Sequence, residues 1–119
     1  MRQILLTVSL FLAFGKIVSA QAEKCRSCIE WQEERVLKWS DFKGKPNKLS
    51  KNEALTDSGI AISLTCDDEH SEVKVESFFN PYKSWSKNHT SDYLLEHEQL
   101  HFDITELFAR KLRKQLQIL

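Results

Sequence analysis

Glycine and proline are scarce in this chain, three and two among 119 residues. There are no internal repeats and no low-complexity linkers. Between Asp92 and Gln117 neither glycine nor proline occurs, so no backbone breaker interrupts a helix there. Net charge is missing as well: 17 basic and 17 acidic side chains cancel. No strong field therefore draws in nucleic acid or an anionic membrane. The basic cluster Arg110, Lys111, Arg113 and Lys114 falls in the last turns of the expected C-terminal helix. There it complements the helix dipole rather than forming a binding patch.

Long hydrophobic runs are absent too, with one exception at the start. Ile4 to Ala13 is apolar apart from Thr7 and Ser9, and Lys16 follows. This is shorter than the roughly 20 residues of a membrane helix. Arg2 before the run and Val18-Ser19-Ala20 after it complete the pattern of a secretory signal peptide. The expectation is a signal peptide over residues 1–20, cleaved after Ala20, and a single domain over 21–119. An uncleaved N-terminal anchor is the alternative. The remaining chain of about 100 residues suffices for one small core. The expected location is secreted or periplasmic, with no stable membrane insertion after cleavage.

Only three cysteines are present, Cys25, Cys28 and Cys66. Export places them in an oxidising compartment, where a disulfide persists. A thioredoxin-like role for Cys25-Arg26-Ser27-Cys28 would need a βαβ setting, and none surrounds it. The pair reads as a local or Cys66-linked disulfide, with a redox or metal role as the alternative. The odd cysteine is left as a free thiol or an intermolecular partner.

Residues 24–40 support a strand or a short helix equally. Gly44 and Pro46 mark a loop, and the polar stretch Lys48 to Ser58 reads as another. Ile60 to Cys66 alternates, with Ile60, Ile62, Leu64 and Cys66 on one face. After the polar turn Asp67 to His70, Val73 to Phe79 places Val73, Val75 and Ser77 on one face. Together they predict an antiparallel hairpin that ends at Asn80-Pro81. Trp31, Trp39 and Trp85 read as packing residues, and Ser84 has no partners for serine chemistry.

The C-terminal segment is the clearest. Thr90 or Ser91 caps it, and Asp92 suits its positive end. On a helical wheel with Leu94 at zero, Leu112 lies at about 0°, Phe108 at about −40° and Leu116 at about +40°. These residues predict a long amphipathic helix with one buried face. On the same wheel His101 falls at about −20°, Glu98 at about +40° and His97 at about −60°. All three sit on the expected apolar stripe, where ionisable groups are costly unless paired or metal-bound.

The spacing offers a reason for them. Residues at i and i+4 stand one above the other, so His97 and His101 are candidate ligands for one Zn²⁺. Glu98 is the candidate general base for a zinc-activated water attacking a peptide bond. The bland alternative is a histidine pair hydrogen-bonded into the core, with Glu98 ion-paired nearby. A catalytic zinc takes three protein ligands. No glycine follows His101, which excludes the short His-x-x-Gly-x-x-His arrangement. Glu106, at about +120° on the wheel, lies off the site and is placed to pair with Arg110. His70, His89 and Asp92 are the candidate third ligands. A structural zinc held by Cys25, Cys28, His97 and His101 is a further alternative.

Tyr93-Leu94-Leu95-Glu96-His97-Glu98-Gln99-Leu100-His101-Phe102-Asp103-Ile104-Thr105-Glu106 is the most specific stretch. It is accompanied by Trp39-Ser40-Asp41-Phe42-Lys43-Gly44, by Ala54 with Thr56-Asp57-Ser58-Gly59-Ile60, and by Phe79 with Ser84-Trp85. From Val36 to Leu116 the chain resembles a domain-of-unknown-function family of secreted bacterial proteins, predicted to be zinc-dependent proteases. The resemblance implies zinc binding by His97 and His101, base work by Glu98 and a peptide or protein substrate. In a bacterial setting the acceptor pattern Asn88-His89-Thr90 is only a polar loop. Longer members continue past this helix into a segment with a further histidine, whereas this sequence stops at Leu119.

The expectation is a small α+β domain: an antiparallel sheet packed against a long C-terminal helix that carries His-Glu-x-x-His. The leading function is a secreted zinc-dependent metallopeptidase. The alternative is a catalytically incomplete binding or structural protein on the same scaffold.

Overall fold

The computed structural model describes residues 25–117. The signal-peptide segment lies outside the described residues. The fold is α+β, a small antiparallel sheet packed against one long C-terminal helix. In chain order the elements are β1 (Ile29–Glu30), a 3-10 turn (Trp39–Asp41), β2 (Ala54–Leu55), β3 (Ser58–Cys66), β4 (Ser71–Phe79), β5 (Trp85–Ser86) and α1 (Asp92–Leu116). No helix among the described residues is long and apolar enough to cross a membrane.

The hairpin β3–β4 follows the alternation in the sequence. Ile60 pairs with Ser77, Ile62 with Val75 and Leu64 with Val73, which puts the apolar sets of both strands on one face. Its turn is closed by Asp67, whose carboxylate accepts from the amides of Glu69 and His70 at 3.0 and 2.7 Å. β1 adds a third strand at the other edge of β4, through Ile29 and Phe79. The stretch read as loop from Lys48 to Ser58 contains β2, which pairs with β5 in a separate two-stranded sheet. Two-residue strands are too short to leave an alternating pattern, so only their tertiary pairing reveals them.

The core is Leu37, Phe42, Phe79 and Phe102, with Ile29, Trp31, Trp39 and Leu95 packed against it. The Phe79 ring lies 5.1 Å from that of Phe42 and 5.8 Å from that of Phe102. This aromatic row clamps the helix to β4. Ser91 caps α1, its hydroxyl accepting from the Leu94 amide at 3.1 Å. Polar bonds fasten the N-terminal segment to the same helix. The Trp31 indole N–H donates to Asp103 at 2.8 Å, and the Leu37 amide donates to Gln99 at 2.7 Å.

The face that α1 buries differs from the expected one. Its buried residues are Glu98, Phe102, Glu106 and Ala109, whereas Phe108 is 55% exposed. The stripe is turned by roughly 90° from the Leu94–Phe108–Leu112 line. Paired polar groups are the cause. Glu106 accepts from Arg110 and Arg113 at 3.0 and 2.9 Å and also from the Ser77 hydroxyl. Satisfied in this way, a carboxylate can face the sheet. A wheel that counts only apolar side chains does not see such partners.

A candidate metal site beside a short strand edge

The turned stripe changes the setting of the motif. Glu98 is buried, and His97 and His101 stand exposed on its flank. Burial in the core therefore creates no need for a metal at the two imidazoles. They face an open cleft of about 470 Å³, walled on one side by Leu94, His97, Glu98 and His101. Asn52, Glu53, Ala54, Leu55 and Thr56 form the other wall.

The histidines converge. Their Nε2 atoms lie 3.2 Å apart and their rings meet edge to face at 4.7 Å. Two nitrogens on one tetrahedral zinc, each about 2.0–2.1 Å from it, stand about 3.3–3.4 Å apart. The observed separation matches. Ligand atoms of His97, Glu98 and His101 all fall within 4.8 Å of one another. Two imidazoles are a donor pair that suits zinc, with the carboxylate standing beside them. Holding a cation requires both Nε2 lone pairs, so each ring must carry its proton on Nδ1.

Glu98 is fixed from across the cleft. The Thr56 hydroxyl donates to Glu98 Oε2 at 2.6 Å. One turn further along the helix, Phe102 is 1% exposed in the core and pins the helix beneath the carboxylate.

The three candidate third ligands lie elsewhere. His70 stays in the hairpin turn beside Asp67, at 3.7 Å. His89 stacks on Trp39, ring centroids 5.6 Å apart. Asp92 lines a separate groove with Val36, Leu95 and Gln99. None of them lines the cleft. Cys25 and Cys28 form a disulfide, which removes the thiolates a closed Cys-His zinc site would need. Cys66 is free and exposed. Glu106 is paired with Arg110 as its spacing suggested.

Asn52 and Glu53 in the cleft wall, and Thr56 as the partner of Glu98, do not stand out in the sequence. Periodicity carries no signal for them. Their role comes from a polar loop being folded against the helix.

No family model, curated protein or solved structure matches the chain.

Proposed function

We propose that this chain is a secreted or periplasmic zinc-dependent metallopeptidase, with His97 and His101 as metal ligands and Glu98 as proton acceptor. The carrying observation is the convergence of the two Nε2 atoms to 3.2 Å beside the Glu98 carboxylate. When bound there, Zn²⁺ supplies Lewis acidity toward a carbonyl oxygen and toward a water.

The chain's own residues divide the remaining work. Glu98 Oε2 is taken by the Thr56 hydroxyl, and Oε1 has no hydrogen-bond partner among the described residues. Oε1 is then the oxygen that receives a proton from the attacking water and passes it to the leaving amine. A peptide is the ligand class that the opposite wall favours. β2 has a strand partner, β5, on one side only. The Lys87 amide donates to the Glu53 carbonyl at 2.8 Å, so by alternation the Ala54 backbone groups point away from β5. An edge of this kind can pair with an extended peptide. Export is supported by the signal-peptide pattern of residues 1–20 and by the Cys25–Cys28 disulfide, which suits an oxidising compartment.

A second reading is a catalytically incomplete binding or structural protein on this scaffold. It is favoured by the metal-ligating group among the described residues stopping at His97, Glu98 and His101. Zinc content of the mature protein, purified without chelators, separates the readings in combination with casein hydrolysis. The enzyme reading expects about one zinc per chain, lost in His97→Ala/His101→Ala, and hydrolysis abolished in Glu98→Gln with zinc retained. Zinc without hydrolysis supports the incomplete protein. A folded chain that binds no zinc overturns the metal site itself.

A further inference from the structure

We propose that Thr56 is a positioning residue that keeps Glu98 beside the metal site as a proton acceptor and prevents it from becoming a ligand. This rests on the metal reading of His97 and His101. A carboxylate within 4.8 Å of both imidazoles has two options once a cation is present. It can swing onto the ion, or it can stand off and exchange protons. Its own spacing does not decide between them, so whatever else holds the carboxylate does.

The restraint is the Thr56 hydroxyl, 2.6 Å from Glu98 Oε2. That separation lies in the range of a charge-assisted O–H···O⁻ bond. Among the described residues its other acceptor is the Glu98 carbonyl at 3.2 Å, on the same residue. Whichever oxygen it bonds, Thr56 stays tied to this position of the helix.

Thr56 cannot easily follow the carboxylate, because the next residue is locked. The Asp57 amide donates to Ser84 Oγ at 2.9 Å, and Ser84 Oγ donates to the Asn80 carbonyl at 2.7 Å. The Asn80 amide closes the ring on the Asp57 carbonyl at 2.8 Å. Ser84 is fully buried. The Gly44 amide donates to the Ser84 carbonyl at 2.8 Å. There is no room for a side chain at Gly44, where a Cβ would sit 2.7 Å from that oxygen. On the other side Phe102 fixes the helix. Two bodies held independently thus set the distance between hydroxyl and carboxylate, as an enforced stand-off requires.

The test uses Co²⁺ as a spectroscopic probe of the mature chain, read as dissociation constant and visible spectrum. The variants are Thr56→Ser, Thr56→Val, Thr56→Ala and Thr56→Val/Glu98→Gln. Thr56→Ser keeps the hydroxyl and matches wild type. Thr56→Val and Thr56→Ala free the carboxylate, and it adds to the ion. They bind Co²⁺ roughly tenfold more tightly, the scale of one lost hydrogen bond to a charged group. Their spectra change, and adding Glu98→Gln reverses both effects. Wild-type affinity and spectrum in folded Thr56→Val overturn the proposal. Failure of both Thr56→Val and Thr56→Ala to fold also overturns it, in favour of a purely structural latch. A folded wild type that binds no Co²⁺ removes the metal reading instead, and this proposal with it.

Discussion

Replacing Glu106 by glutamine should cost stability in a pH-dependent way. Glu106 is 5% exposed and accepts hydrogen bonds from Ser77, Arg110 and Arg113. Burial pushes its carboxyl up, but the bonds from Arg113, Ser77 and Arg110 outweigh it and hold the pKa at about 2, against an ordinary 4.5. The folded value is the depressed one. The charged form therefore stabilises the fold above the unfolded pKa, and this contribution is lost as pH falls through the folded pKa. At neutral pH it is on the order of 3 kcal/mol, and by pH 3 it has fallen to less than half of that. Glu106→Gln keeps the shape and removes the charge. Urea denaturation of both proteins at pH 7 and pH 3 measures the gap. It should be about 3 kcal/mol at pH 7 and narrow by about 2 kcal/mol at pH 3. A gap that is the same at both values would refute the charge argument, leaving Glu106 as a shape-filling residue.

Gly44→Ala should lower stability by about 1–3 kcal/mol, read by thermal unfolding. The new Cβ would meet backbone oxygens of Ser84 at 2.7 Å and Tyr82 at 3.0 Å, and backbone does not move aside cheaply. A melting temperature equal to wild type would refute that packing. Thiol titration of the native mature protein without reductant should find about one reactive group, at exposed Cys66. Cys25 and Cys28 should react only after reduction. Three reactive thiols in the unreduced protein would contradict the disulfide.

Much of the fold was legible in the sequence because two signals were strong. The β3–β4 alternation and its polar turn could be read residue by residue, since successive side chains of a strand point to opposite faces. The capped, uninterrupted run into α1 was equally plain, and Ser91 is the cap of the two it suggested, Thr90 and Ser91. The choice of helix face was not legible. Leu94, Phe108 and Leu112 outweigh Glu98 and Glu106 on any apolar scale. The two carboxylates are nevertheless buried, because Thr56, Ser77 and Arg113 come from other elements or from two turns along the helix to meet them. Short strands such as β2 left no pattern because two residues cannot display an alternation.

His97, Glu98 and His101 share one helix, so their spacing alone determined that they would stand together, and helical geometry permits little else. Folding decided what surrounds them. It placed both imidazoles at the exposed edge of a cleft and took Glu98 into contact with Thr56. It laid β2 opposite, and it kept His70, His89 and Asp92 away. The division is physical: contacts within one helix follow from its repeat, whereas contacts between elements follow from how the whole chain buries its apolar area and satisfies its buried charges.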